Sequence, residues 1–205
     1  MKKLISIFLI FAASSVMHAE DTSSEHRNDF TFGVELNYIA AFHCAIHHNF
    51  FSEIGYRVDL KDNQFKYISN NDLYLHCGYN LNKRWNMSLY LGLSGVYDVN
   101  TIIPLSLRAT RYFREDAKGD RCFAFMDLGS GLSLTRHPQA PASGKIGAGY
   151  RISLSPASKL DFLLAYRMVL ARPEIDFDGY EVPVNRINRN NAYVSAMSIG
   201  VALTF

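Results

Sequence analysis

The sequence predicts an all-β fold, an eight-stranded antiparallel up-and-down transmembrane β-barrel with short turns at one end and longer loops at the other. Eight segments alternate large apolar side chains with small or polar ones, at the period of two that characterises a β-strand. The connections between these segments are alternately short and long, as in a membrane barrel whose two ends differ. The amino terminus is typical of an exported chain. Together these features predict a chain that is exported and then crosses a membrane with strands.

The first 29 residues are predicted to lie outside the barrel. Lys2 and Lys3 precede a nearly continuous apolar run from Leu4 to Ala13, and small residues follow up to Ala19. This pattern predicts a cleaved signal peptide at 1–19, because the run is about half of the roughly 20 residues that a spanning helix needs. Residues 20–29 form a polar leader, and 30–205 form the barrel. The chain has 21 basic and 19 acidic residues, so loss of two lysines leaves the mature chain neutral, which does not favour a nucleic-acid partner.

In each predicted strand, one face carries large apolar side chains and the other carries polar or small ones. The strands cover residues 30–38, 72–81, 85–94, 103–112, 123–133, 145–154, 160–170 and 193–205. From the first strand to the last, the apolar face begins at Phe30, Leu73, Trp85, Ile103, Ala124, Ile146, Leu160 and Tyr193 and takes every second residue. Charges in the middle of the strands lie on the other face, and a charge facing lipid is unfavourable. The apolar face is therefore predicted to meet lipid.

The predicted lumen face collects equal numbers of acidic and basic side chains together with His76. The acidic residues are Glu35, Asp72, Asp127 and Asp161, and the basic residues are Arg108, Lys145, Arg151 and Arg167. An eight-stranded lumen is just wide enough to be filled by side chains, so these groups are expected to form paired, hydrogen-bonded networks. Zero net charge and the absence of a ring of one sign favour a structural plug over a proton or ion path.

The connections predict which end of the barrel projects. Residues 82–84, 114–121 and 155–159 are short polar turns, and residues 41–71, 98–101, 135–143 and 171–191 connect the strands at the other end. Residues 51–60 alternate weakly, but a ninth spanning strand would exchange the two ends. We therefore place this segment in the first external loop, as a strand projecting above the membrane. In the fourth loop, Pro173 and Pro183 flank a predicted hairpin. Loops 41–71 and 171–191 are expected to contact an unidentified external ligand.

The terminal strand carries the most specific pattern. Its apolar face contains Tyr193, Met197, Ile199, Val201, Leu203 and Phe205, and small residues alternate with them up to the aromatic end of the chain. In this it resembles the closing strand of bacterial outer-membrane β-barrels, and from Phe30 onward the chain resembles small barrels of the OmpA/OmpX type. The resemblance implies a location in the bacterial outer membrane, with short periplasmic turns and longer external loops. It also implies contact with outer-membrane lipid and lipopolysaccharide, and insertion by the machinery that recognises the terminal strand.

Three other functions or folds fit parts of the sequence. A soluble, lipocalin-like barrel would turn the apolar face inward and would have to bury Trp85, Phe162 and Phe205 in one lumen. A lipid-A-modifying barrel enzyme would need a serine, a histidine and a carboxylate together, and neither His76 nor His137 lies in such a local pattern. A small-solute channel would need an open lumen.

No cofactor, metal site or catalytic residue is predicted. His43, Cys44, His47 and His48 cluster in the first loop, but their spacing fits no defined metal-ligand motif. Three cysteines are an odd number for an exported protein and are predicted to form no disulfide framework. The sequence therefore favours a non-enzymatic barrel with a closed polar lumen, whose external loops make structural or adhesive contacts.

Overall fold

The structure is a computed structural model that describes residues 30–65, 67–95, 101–114, 119–133, 140–173 and 175–205. The predicted signal peptide and leader lie outside the described residues and stay predictions. The strands are β1 (Phe30–Phe51), β2 (Arg57–Gln64), β3 (Ile68–Asn80), β4 (Trp85–Gly95), β5 (Thr101–Tyr112), β6 (Arg121–Ser133), β7 (Ala142–Ser153), β8 (Lys159–Ala171), β9 (Asp176–Phe177), β10 (Tyr180–Glu181) and β11 (Ile187–Thr204). A single turn of 3-10 helix, Val184–Arg186, precedes β11. No helix in the described ranges is long and apolar enough to cross a membrane.

Eight of these strands form a closed antiparallel barrel. They pair in the order β1, β3, β4, β5, β6, β7, β8 and β11, and β11 returns to pair with β1. The closing ladder extends from Gly33 opposite Thr204 to Phe50 opposite Ile187. Closure leaves no unpaired strand edge within the barrel. The predicted fold class is confirmed.

The large apolar side chains of the spanning strands point outward. Trp85 is 40% exposed and Phe162 is 46% exposed, whereas Glu35 on the opposite face is fully buried. The same alternation of exposed and buried residues follows the predicted phase along the barrel strands. The soluble-barrel alternative is therefore wrong, because its lumen would have to contain the side chains that form this exposed belt.

The inner face needs small residues because the barrel is narrow. A Cβ atom on Gly92 would lie 2.0 Å from the carbonyl oxygen of Leu73, and one on Gly200 would lie 2.0 Å from Oδ1 of Asn37. Real Cβ atoms do not approach other atoms so closely, so a side chain at either position would displace a neighbour. The small residues on the second face of the predicted strands thus include glycines at close approaches inside the barrel.

Side-chain hydrogen bonds and aromatic contacts stabilise the short-turn end of the barrel. Oδ1 of Asn82 accepts hydrogen bonds from the backbone N–H groups of Arg84, at 2.8 Å, and Trp85, at 2.9 Å. Phe32 and Phe205 exchange two backbone hydrogen bonds, and their rings stack at 5.6 Å. The carboxy-terminal residue is therefore part of the barrel seam.

At the other end, a three-stranded sheet projects beyond the barrel. β1 continues from His43 to Phe51, paired with β2 on one side and with the start of β11 on the other. We call this sheet, together with the β9–β10 hairpin, the external head. The prediction that residues 51–60 contain a projecting strand is confirmed, although the strand lies at Arg57–Gln64.

The external segments 41–71 and 171–191 contain more strand than the predicted projecting strand and hairpin, because β1 extends to Phe51 and β11 begins at Ile187. The ladder between β1 and β11 begins inside the membrane and continues above it. Side chains in the head lie beyond the hydrocarbon core of the membrane, so their alternation is weaker than in the spanning part and the sequence pattern fades.

The predicted hairpin of the fourth loop packs over the mouth of the barrel. Asp178 and Gly179 adopt positive φ angles, 54° and 81°, which close the tight turn between β9 and β10. Phe177 contacts Phe50, with ring centroids 5.3 Å apart. Phe50 lies on the same face of the head as Cys44, which reaches the apolar end of the lumen. The hairpin therefore covers the side of the head that continues the lumen.

Candidate functional site

The lumen is bridged at its centre by one buried arginine. Arg108 on β5 donates to both carboxylate oxygens of Glu35 on β1, at 2.5 Å and 3.0 Å. It also donates to both oxygens of Asp127 on β6, at 2.6 Å and 2.8 Å, and to the hydroxyl of Tyr90 at 2.8 Å. β1 and β5 are not neighbours in the sheet. The contact between Arg108 and Glu35 therefore spans the interior of the barrel.

Two further arginines make paired contacts with carboxylates. Arg167 on β8 donates to both oxygens of Asp72 on β3, each at 3.2 Å, and to Oγ of Ser94 at 2.7 Å. Arg151 on β7 donates to both oxygens of Asp161 on β8, each at 2.6 Å. The first pair spans the lumen, and the second joins neighbouring strands. Arg151 uses two nitrogens, Nε and Nη2, and this bidentate geometry makes its contact with Asp161 stronger than a single ion pair. Arg167 contacts both oxygens of Asp72 from Nη1 alone.

The structure brings eight of the nine predicted lumen residues into ion pairs and leaves His76 out of them. Lys145 joins the central group, with Nζ 3.6 Å from Oε1 of Glu35. In the described part of the chain, neither ring nitrogen of His76 has a hydrogen-bond partner. Its ring instead stacks on Tyr90 at 4.8 Å. The carboxylates of Glu35 and Asp161 are bound by arginines, and the hydrogen bond expected of His76 stays a prediction.

Sequence reasoning did not assign a role to the aromatic rings of the lumen. The Arg108 guanidinium carbon lies 4.0 Å from the ring centroid of Tyr90 and 4.4 Å from that of Phe125. The guanidinium carbon of Arg151 lies 4.9 Å from the ring of Tyr112. Cation–π contacts of this kind stabilise buried guanidinium groups. The signal was present in the sequence, because all three rings share the inward phase of their strands.

An apolar layer closes the lumen on the external side of the ion pairs. It consists of Ile39, Ala41, Cys44, Ile68, Ile102, Val169, Val194 and Ala196, all buried. Ile39 follows Glu35 by four positions on the outgoing β1, and Val169 follows Arg167 on the outgoing β8, so this layer lies above the charged groups. An apolar constriction excludes ions and water.

A small cavity remains below this layer. It has a volume of about 20 Å³ and is lined by polar groups that include His76, Tyr90, Arg151 and Asp161. A cavity needs roughly 10–15 Å³ measured in this way to hold one water molecule. The cavity therefore has room for about one water molecule and not for a solute.

The external histidines do not assemble a serine-based catalytic group or a metal site among the described residues. Nε2 of His43 is 2.6 Å from Oδ1 of Asn63, and Nε2 of His47 is 2.8 Å from Oδ1 of Asp59. The hydrogen bond from His47 lowers the pKa of Asp59, and burial lowers the pKa of His48, with a smaller effect from His47. No three His, Cys, Asp or Glu side chains in the described ranges stand close enough to share a metal ion. His137 lies outside those ranges.

The predicted insertion signal lies on the closing strand, facing lipid. Tyr193, Met197, Ile199 and Val201 are exposed along β11, and Leu203 and Phe205 are partly exposed at its end. Recognition of this strand by an insertion machinery stays a prediction. The cysteines Cys44, Cys77 and Cys122, all within the described ranges, form no disulfide.

No protein-family model and no curated relative matches the chain. Solved structures do match. The outer membrane protein OprG from Pseudomonas aeruginosa is 10% identical, with a TM-score of 0.52 over 85% of this chain and 95% of OprG. Neisserial surface protein A is 14% identical, with a TM-score of 0.48 over 85% of this chain and 97% of that protein. The outer membrane protease OmpT from Escherichia coli is 9% identical, with a TM-score of 0.40 over 90% of this chain and 99% of OmpT.

The likeness to OprG shows the fold. The exposed apolar belt provides an independent argument for the location. Closed antiparallel barrels with an apolar outer band are the strand-built proteins of bacterial outer membranes. The belt and the fold together place this chain in the outer membrane.

Proposed function

We propose that this chain is a non-enzymatic outer-membrane barrel with a closed lumen, whose external head makes structural or adhesive contacts at the cell surface. The observation that carries the proposal is the position of Arg108, which links Glu35 to Asp127 across the lumen. The apolar layer above these ion pairs and the hairpin over the barrel mouth add two further barriers. The charged residues that could line an open channel are thus bound to one another, and these contacts hold the barrel together.

The closed lumen is tested by conductance in planar lipid bilayers. The purified wild-type protein is expected to stay at the background conductance of the bilayer, with folding checked by heat-modifiable migration on a gel. The variant Arg108→Ser/Arg167→Ser removes both arginines that bind carboxylates across the lumen and serves as the comparison, provided it migrates as a folded barrel. Discrete conductance steps from the wild-type protein would contradict the proposal.

The surface role rests on the exposed tip of the head. Ile54 is 89% exposed and Tyr56 is 49% exposed, in the turn between β1 and β2. The turn is fixed by a hydrogen bond from the Ser52 N–H to the carbonyl of Tyr56, at 2.9 Å. A fixed turn that presents an aliphatic and an aromatic side chain suits contact with another surface.

The contact role is tested with whole cells. Cells that display the wild-type protein are expected to adhere to immobilised extracellular matrix or to host cells more than cells that display Ile54→Ser/Tyr56→Ser. Leu81→Ser is the matched control, since Leu81 is 59% exposed at the periplasmic end. Equal adhesion by all three strains and by cells lacking the protein would remove the adhesive role.

The non-enzymatic part of the proposal is supported by the hydrogen bonds of His43 and His47, whose partners are Asn63 and Asp59 and not a serine. Mass spectra of lipid A from cells with and without the gene are expected to be identical. A change in the number of acyl chains that depends on the gene would show instead a lipid-modifying enzyme.

A further inference from the structure

The outward face of the external head is continuous with the lipid-facing surface of the barrel. Tyr193, which is 40% exposed on that surface, lies opposite Ala45. Two residues further from the membrane, Asn191 lies opposite His47, which in turn lies opposite Lys61. Side chains two positions apart on a strand share a face. Asn191, His47 and Lys61 therefore form a row directly above Tyr193.

A second row lies above the first. Arg189 is opposite Asn49, and Asn49 is opposite Asp59. With a rise of about 3.3 Å per residue and a strand tilt of about 40°, the two rows stand roughly 5 Å and 10 Å above Tyr193. The polar headgroup layer of a bilayer is about 5–8 Å thick on each side. The first row is thus at the height of the lipid headgroups, and the second is just above it.

The charges of the head are segregated between its two faces. The outward face carries Lys61 and Arg189, and its edge carries Arg57, which is two residues from Asp59 on β2. All three cations are exposed. The carboxylate in these rows is Asp59, which is hydrogen-bonded to His47. Asp62, opposite Ile46, lies on the other face. The outward face is therefore positively charged where it meets the headgroup layer.

We propose that this outward face binds the phosphorylated glycolipid of the outer leaflet, lipopolysaccharide, with Lys61 and Arg189 pairing with its phosphates and Asn191 donating to its sugars. Ammonium and guanidinium groups bind phosphate strongly, and cations near an anionic membrane surface each add to the attraction. A glycolipid is the occupant because its acyl chains would lie against the belt below Tyr193 while its phosphates reach the cations above. The inference rests on the external position of the head, which is part of the proposed function.

Binding is measured by titrating fluorescently labelled deep-rough lipopolysaccharide into the purified protein in nonionic detergent. The variant Lys61→Gln/Arg189→Gln is expected to bind about 25-fold more weakly than wild type, from about fivefold per cation lost. The control Lys83→Gln/Arg114→Gln removes the same charge from exposed positions at the periplasmic end and is expected to bind like wild type. Dephosphorylated glycolipid is expected to bind the wild-type protein as weakly as the intact glycolipid binds the first variant.

Equal binding of intact and dephosphorylated glycolipid, or equal binding by the two double variants, would overturn the inference. Tighter binding of a soluble polyphosphate, inositol hexaphosphate, than of the glycolipid would overturn it in favour of a soluble anion. The position of the head is measured separately, by labelling Ile54→Cys on intact cells with a membrane-impermeant thiol reagent. Failure of that labelling would refute the surface role itself, whereas labelling without phosphate-dependent binding would refute this inference alone.

Discussion

Removal of Arg108 gives the sharpest test of the lumen. Arg108→Met keeps much of the side-chain volume but removes a guanidinium that is 3% exposed and makes five hydrogen bonds. Removing one partner of a buried ion pair costs about 3–5 kcal/mol of folding free energy, because the other charge is left uncompensated. Two carboxylates would be stranded here, but Glu35 keeps the amide of Asn37 at 2.8 Å and Lys145 at 3.6 Å. We therefore expect a loss of about 3–5 kcal/mol and not twice that amount.

The assay is equilibrium unfolding by urea in phospholipid vesicles, followed by the fluorescence of Trp85, the single tryptophan. In the triple variant Arg108→Met/Glu35→Gln/Asp127→Asn the charges are removed together, so its stability should return to within about 2 kcal/mol of wild type. Arg114→Met, at an exposed position, is the control for loss of an arginine. A loss below about 1 kcal/mol in the single variant, or an equal loss in the triple variant, would refute the reasoning.

Three other outcomes follow from the structure. Gly92→Ala should destabilise the barrel by about 1–3 kcal/mol in the same unfolding assay, because its Cβ would meet the backbone of Leu73, whereas Gly144→Ala, whose nearest atom is 3.8 Å away, should be nearly neutral. Burial lowers the pKa of His48, so the neutral form stabilises the head, and this stability is present above the ordinary value of 6.5 and lost as the pH falls below it. Limited proteolysis of the head should therefore accelerate as the pH falls below about 6.5 in wild type and not in His48→Leu; equal acceleration in both would contradict this. Phe205→Ala removes the stack on Phe32 and the predicted insertion signal, so the assembled fraction in cells should fall more than refolding of the purified chain; equal effects would leave the stack as the sole cause.

The inward or outward direction of the spanning side chains could be predicted from the sequence because lipid and a narrow lumen make opposite demands. Phe162 and Asp161 are adjacent in the chain, yet one faces lipid and the other accepts two hydrogen bonds from Arg151. Shifting a strand by one residue would turn its apolar side chains into the lumen and its charged ones toward lipid. The alternation therefore fixes which side chains of a strand point inward. The same reasoning fixed the number of strands, since an odd number would exchange the turn and loop ends.

The ion-pair partners could not be predicted from the sequence. The alternation along a strand shows whether a side chain points into the lumen or toward lipid, but not its height along the barrel axis. Arg167 lies 95 positions from Asp72, and Arg108 lies 73 positions from Glu35. These residues become neighbours through the tilt and stagger that closure imposes on all the strands together. The same geometry placed His76 against Tyr90 and away from a free carboxylate.

The sequence by itself thus determined a closed strand-built membrane protein, its strand count and the side of the wall on which each spanning residue lies, because water, lipid and lumen select side chains locally. The tertiary structure alone decided the ion-pair partners, the apolar layer above them and the extent of the external head. Those features depend on the height of each residue in the closed barrel and on ladders that continue beyond the lipid, where the side chains of a strand no longer face two contrasting solvents.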